Sequence, residues 1–566
     1  MSADEKQTPP TTANPSPEPD TVVDEKAAQP ETEPKSREFF LTLLAIGVTT
    51  VLSALDLTGI GTTLPTISKA LDDTKGEFVW IGSAYALAST AFIPLMGNLA
   101  DAFGRRPVVL TSIAFFALGS ALSGAAQSMT WIIAARAVQG VGGGGILALS
   151  EILIADLVPL AERGAYQGFL ALVWSIGSCI GPPIGGALAN VNDKAWRWLF
   201  WLNLPLCGIS FVLVALFLHV RTPPGTLKSK LAQVDWIGNL LVVFGSGLVI
   251  IGLTWGGSAY AWNSAHVLAT LIIGFVLLIV FGLYEAFLVK APVRPTTPGD
   301  ILGNRTSLGG LISTAVHGLV SIALIYYLPV YYQACFDASP IRSAVDFLPS
   351  GLLTAPFAFL AGVATAVLKK YRPVQYFAWV FCVFGYGIFS LQRVNSPQHF
   401  WLGVQIPLCV GLGMLFSCPV FPILAPLPPQ RAASALALWT FTRSFFQAWG
   451  IAIGGTVLEN ELSKKLPQEF IAQVGSSVEI AYSAIPVIRT LTDQALKLQV
   501  QTAFADSLRV VWLVMCGISG LGFLSCFLLR EIPMGTQVDE TYTLKETKEQ
   551  KKLRDAEAQE GAAPVA

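Results

Sequence analysis

Asp56 stands inside an apolar run at 40–62, and Arg136 stands inside another at 131–155. An ionisable side chain within a membrane span costs about 2.5–3.5 kcal/mol on insertion scales, so each must face a protein interior and find a partner there. Counted from Trp131 at 1.5 Å per residue, Arg136 lies about 8 Å into its run. Asp56 lies six residues before the end of its own, at similar depth. A buried carboxylate beside a cation exchanges its proton when a solute or a change of shape alters its desolvation. The same two residues can also serve as a static pair locking the first helix to the fourth, and the two roles can coexist. A second group of charges lies in Gly97-Asn98-Leu99-Ala100-Asp101-Ala102-Phe103-Gly104-Arg105-Arg106-Pro107. A carboxylate at a membrane end, followed by two arginines in a glycine-punctuated turn, can latch one helix group to another through ion pairs or by facing a helix N-terminus. His317, Gln333, Gln405, Arg443 and Gln447 are further polar residues in apolar runs that suit a pathway, and Arg443 needs a partner. Glu285, near a helix end, is read as snorkelling to the interface. Trp174, Tyr326, Tyr327, Tyr331, Tyr332, Trp439 and Phe446 suit a cavity for amphipathic solutes, although aromatic belts also account for such residues at helix ends.

The elements that must position these groups follow from composition. Of 566 residues, 53% are hydrophobic and 13% charged, more apolar surface than a soluble fold can cover. At about 20 apolar residues per crossing, a bilayer takes up this composition, and it tolerates the 51 glycines and 35 prolines. The chain reads as an all-α integral membrane protein. Apolar runs fall near 40–62, 78–99, 107–127, 131–155, 165–189, 198–219, 236–256, 266–288, 307–333, 345–368, 374–392, 399–424, 432–458 and 508–529, fourteen in all. With the N-terminal tail in the cytosol, the short inner loops hold thirteen Lys and Arg and the short outer loops six, which places both termini inside. The sequon at Asn304 then lies inside, unglycosylated. Residues 1–38 read as a solvated tail without a cleavable signal, and 531–566 as a mobile one. The outer segment 459–507 is expected to form amphipathic helices around its apolar stretch at 480–488.

Function classes drop out as well. The net charge of −1 leaves no basic surplus for nucleic acid. The eight cysteines lie in or beside apolar runs and read as packing, and the four histidines are not clustered, so neither a disulfide framework nor a metal site is indicated. No phosphate-binding G-x-x-x-x-G-K-[ST] loop occurs, so direct driving by ATP is excluded, and no cofactor is called for. A membrane enzyme or a sensor lacks both acid/base clusters and an output domain. An internal echo remains: Pro159-Leu160-Ala161-Glu162-Arg163-Gly164-Ala165 resembles Pro426-Leu427-Pro428-Pro429-Gln430-Arg431-Ala432. Two six-helix halves, 39–220 and 301–530, with 221–300 adding two inserted helices between them, explain it. Repeats enclosing a midplane site are the mark of secondary transporters.

Three motifs carry a family resemblance covering about residues 39–530. The segment Gly97, Asp101, Gly104, Arg105 and Arg106 resembles motif A of the major facilitator superfamily, with Asn98 and Ala102 as departures. Arg136, Gln139 and Gly140 resemble motif B. In Gly177-Ser178-Cys179-Ile180-Gly181-Pro182-Pro183-Ile184-Gly185-Gly186, small residues every fourth position permit close helix contact and proline permits a bend. This resembles motif C, with Gly177, Gly181, Pro182, Gly185 and Gly186 in place. Leu55-Asp56-Leu57-Thr58-Gly59-Ile60-Gly61-Thr62-Thr63-Leu64-Pro65-Thr66-Ile67 is similar to the first-helix signature of the fourteen-spanner drug:proton antiporters, apart from Gly59-Ile60-Gly61. The resemblance implies a monomer in the plasma membrane exporting a drug, toxin or secondary metabolite against inward-moving protons, with Asp56 and Arg136 coupling the two. Its alternative is a vacuolar basic amino acid transporter of the same family.

Overall fold

The computed structural model describes residues 37–73, 77–192, 194–257, 259–474, 480–536 and Tyr542. Nearly all of the 1–38 and 531–566 tails, and Lys75 of the outer charge count, lie outside the described residues. The long helices are α1 (Arg37–Gly59), α2 (Val79–Phe103), α3 (Arg105–Ala125), α4 (Met129–Leu157), α5 (Arg163–Val191), α6 (Arg197–Phe217), α7 (Trp236–Trp255), α8 (Ala265–Phe287), α9 (Arg305–Cys335), α10 (Pro340–Leu368), α11 (Arg372–Phe389), α12 (Gln398–Leu424), α13 (Ala432–Lys465) and α14 (Gln494–Ser525). No strand occurs among the described residues; one isolated bridge joins Gly256 and Tyr260. Local sequence sets several helix starts: Ser128, Ser264, Ser339 and Asp493 each accept a first-turn N–H. Asn304, the sequon residue, caps α9 by accepting from Thr306 at 2.8 Å and Ser307 at 3.3 Å.

Twelve of the described helices are long and apolar enough to cross a membrane, where the sequence reading expects fourteen. The two that fall short are α11, diluted by Arg372, Gln375 and several aromatic residues, and α13, which carries Thr440, Thr442, Arg443, Ser444 and Gln447 in one stretch. Both pack against several neighbours, so these polar groups meet protein rather than lipid. The opposite extreme is α8, whose only buried residues are Val267 and Gly274. Its exposed Ile272, Ile273, Val276, Ile279 and Leu283 form an apolar face of the kind lipid covers.

Helix packing repeats with a period of eight. Within α1–α6, contacts join α1 to α5 and α6, α4 to α2 and α3, and α3 to α6. The same scheme joins α9 to α13 and α14, α12 to α10 and α11, and α11 to α14. Between the two groups, α5 packs on α10 and α2 on α13; α7 lies against α8, α2 and α13. Gly164 and Gly362 let the backbones of α5 and α10 touch.

Helix ends gather on two faces. The terminal face holds the start of α1 and the end of α14, and it is tied by Arg305 donating to the Phe527 carbonyl at 2.8 Å and the Tyr371 N–H donating to Glu531 at 3.0 Å. On the opposite face, α13 runs on to Lys465 and α14 begins at Gln494, so the segment expected at 459–507 shortens to 466–493. Residues 475–479 of it lie outside the described residues. Within it, the helix Ile480–Thr490 buries Ala484, Ile485 and Ile488, as an amphipathic helix should.

Candidate functional site

Asp56 on α1 and Arg136 on α4 meet. Arg136 Nη1 lies 2.6 Å from Asp56 Oδ2, and both side chains are 0% exposed. A buried carboxylate is stable only when its lone pairs are filled, and here Gln139 Nε2 donates to Oδ1 at 2.9 Å and Asn203 Nδ2 donates to it at 2.7 Å. Gln139 Oε1 accepts from Arg136 at 2.6 Å, and the Ile81 carbonyl accepts from Arg136 Nε at 3.0 Å. The guanidinium lies over the Tyr85 ring, 4.4 Å from its centroid, a cation–π contact. Gly140 permits this by letting α4 approach the Tyr85 backbone. One carboxylate thus ties α1, α4 and α6 together. Asn203, Tyr85 and Ser120, which bonds both Gln139 and Asn203, escape a sequence reading. They are ordinary residues in apolar runs, and only the depth match to Asp56 points to them.

The glycines of motif C face α1. A Cβ on Gly177 would stand 2.8 Å from Ala54 Cβ, one on Gly181 would stand 2.9 Å from the Gly59 N, and one on Gly185 would strike the Gly59 carbonyl. Gly186 has nothing within 4 Å, so its small size has no packing reason here. Pro182 leaves its carbonyl accepting from Thr62 Oγ1 at 3.3 Å.

The motif A residues sit at the terminal face, where Arg105 pairs with carboxylates of α2 and α4. Arg105, 1% exposed, binds Asp101 at 2.8 Å and Asp156 of α4 at 2.7 Å. The last turn of α4 brings Asp156 to Arg105. Arg106 donates to the Ala215 carbonyl. Gly104 makes the turn at φ +92°, where a side chain would be strained. What reaches across is packing and the C-terminal segment. A Cβ on Gly97 would come within 2.6 Å of Ala437 Cβ. Gly535 accepts from the Ala161 N–H at 3.4 Å; Tyr542 lays its ring 3.4 Å from the Arg105 guanidinium carbon and donates to the Asp101 carbonyl at 2.9 Å. Burial pushes the Tyr542 phenol above its ordinary range. Glu285 is not snorkelling: it accepts from the Thr296 N–H at 3.0 Å beside Asp235.

The proposed cavity residues separate. Tyr327, 2% exposed, donates to the Ile451 carbonyl and packs on Gly454, and Tyr331, 1% exposed, donates to the Arg393 carbonyl at 3.1 Å, so both are core. Gln333 donates to Ser343 at 3.1 Å. Phe446 stacks on Trp449 in the cluster against α7, and Trp174 is half-buried on α5. Trp439 and Arg443 do belong to a polar centre: the guanidinium carbon lies 4.1 Å from the Trp439 ring and 4.3 Å from that of Phe416, and Nη2 donates to the Phe416 carbonyl at 2.7 Å. His317 of α9 holds the Leu412 carbonyl at 3.1 Å beside it. From the other helix group comes Glu151 of α4, half-buried, which accepts from Gln167 of α5 at 3.2 Å and interacts electrostatically with Arg443. Glu151 was passed over in the sequence, although a carboxylate inside the run at 131–155 carries the same signal as Asp56.

Efflux pump FUS6 of Gibberella moniliformis is 38% identical over 94% of this chain and 94% of its own length. The acurin A biosynthesis cluster MFS-type transporter of Aspergillus aculeatus is 34% identical over 92% of this chain and 94% of its own. A double-tryptophan mutant of XylE, a proton:xylose symporter, shares the fold with a TM-score of 0.57 at 14% identity, covering 89% of this chain and 98% of that one. The model of the Major Facilitator Superfamily matches residues 46–455, and the chain belongs to that superfamily.

Proposed function

We propose that this transporter exports a small organic solute, of the secondary-metabolite kind, by alternating access driven by protons moving inward. Kinship over nearly the whole chain to a protein named as an efflux pump and to one named for a biosynthesis cluster carries the reading, and it does not favour the vacuolar basic amino acid alternative. In this reading α1–α6 and α9–α14 are the two moving halves, α7 and α8 are inserted between them, all fourteen helices cross the plasma membrane, and the terminal face is cytosolic. The protein works as a monomer. The buried Asp56–Arg136 pair is the coupling element: a proton delivered to Asp56 releases Arg136 and loosens the tie among α1, α4 and α6.

The test uses cells with and without the transporter, whose secreted metabolites are compared to find the solute, followed by proteoliposomes loaded with it. Wild type is expected to accumulate solute uphill under an imposed pH gradient. Asp56→Asn should lose uphill transport while keeping solute exchange in the absence of a gradient. Unchanged uphill transport in that variant ends the assignment of Asp56. A protein that folds and binds solute but moves none rejects the export reading itself.

A further inference from the structure

We infer that Glu151, Gln167, His317 and Arg443, with the rings of Phe416 and Trp439, form the polar end of the solute site, and that it takes an amphipathic solute by an anionic or strongly hydrogen-bond-accepting group set on Arg443. This rests on the transport reading above.

Two features point to a ligand rather than to packing. Four polar atoms of this centre, Gln167 Oε1, His317 Nδ1, Trp439 Nε1 and Arg443 Nε, have no hydrogen-bond partner among the described residues. Gln167, His317 and Trp439 are 2%, 3% and 1% exposed, so bulk water does not serve those atoms. Such atoms occur elsewhere among the described residues too; what sets these four apart is that their side chains group around Arg443, where an occupant with polar atoms of its own would pair them. The second feature is the arrangement of charge. Glu151 and Arg443 act on each other through their fields, yet no ion pair joins them. Arg443 instead stays between two aromatic rings with one carbonyl bond, a guanidinium held in place with donors to spare.

The chemistry of the solute follows. A rigid guanidinium flanked by rings recognises a carboxylate, enolate or conjugated carbonyl whose flat apolar body stacks on those rings. Glu151 comes from the other helix group and, when ionised, repels an anion, moderating affinity so that the solute can leave. The centre is built half from α4 and α5 and half from α9, α12 and α13, so a bound solute touches both groups at once.

The test is binding of two dyes with a common xanthene body and opposite charge, fluorescein and rhodamine 6G, to the full chain in nanodiscs, followed by efflux of the same dyes. Wild type should bind fluorescein more tightly than rhodamine 6G. Arg443→Gln should weaken fluorescein about tenfold or more and leave rhodamine 6G unchanged or tighter, and Arg443→Lys should restore part of the loss. Glu151→Gln should tighten fluorescein several-fold, a gain that a merely structural role cannot produce. Equal losses for both dyes in each variant, or no binding of either dye by wild type, would overturn the inference. Charge-dependent binding of fluorescein without pH-driven movement would leave the site standing and reject the proton-coupled reading.

Discussion

At the scale of single residues, the energetics of the Asp56 centre decide what its parts can tolerate. Removing one member of a buried ion pair leaves the other uncompensated, and Arg136→Gln should lower stability by about 3–5 kcal/mol. Asn203→Leu removes a charge-assisted donor to Asp56 and a weaker bond to Ser120 but no charge, and should cost about 1.5–3 kcal/mol. The double variant Asp56→Asn with Arg136→Gln should recover part of the Arg136→Gln loss, since neither charge then stands alone. Thermal unfolding in detergent reads all three, and an Arg136→Gln protein as stable as wild type would contradict the burial argument. Asp56 and Arg136 were legible in the sequence because a charge in an apolar run has few explanations. Asn203 and Ser120 were not, because a neutral polar residue in such a run has many. The aromatic residues misled in the other direction: ring chemistry alone cannot separate Tyr331, turned to the Arg393 carbonyl in the core, from Trp439 beside Arg443.

Helices raise the question of how closely they approach. The motif C glycines fit α5 onto α1 at every fourth residue, and the structure separates those that matter from the one that does not. Gly181→Leu would drive a side chain into Thr58 and the Gly59 backbone, an overpacking that costs about 1–3 kcal/mol or more. Gly186→Ala should be silent in both stability and transport. If the two behave alike, the spacing is not a packing device. The sequence pattern located this contact, since small residues four apart lie on one face of a helix. It did not identify α1 as the partner, because a period describes one helix and not its neighbour. The apolar run of α13 is interrupted for a related reason. Its polar stretch faces other helices, and an average over the run cannot register which side a residue takes.

Across the whole molecule, the packing scheme of α1–α6 recurs eight helices later, and residues 159–165 and 426–432, similar in sequence, precede α5 and α13, which hold equivalent places in it. The touching backbones of Gly164 and Gly362 lie near the terminal face. Gly362→Val should hold α5 and α10 apart there, raising labelling of cysteines placed along that interface and slowing the transport cycle. A variant that cycles at the wild-type rate would show that this approach is not needed for closure. The C-terminal segment carries a different consequence. Tyr542 bonds to Asp101 across 441 residues of chain. At roughly 5–20 residues per second of synthesis, Asp101 is made about 20–90 s before its partner exists. Throughout that interval the Arg105 edge of α2–α4 lacks the ring that covers it in the finished chain, so the Arg105 pairs with Asp101 and Asp156 form without help from Tyr542.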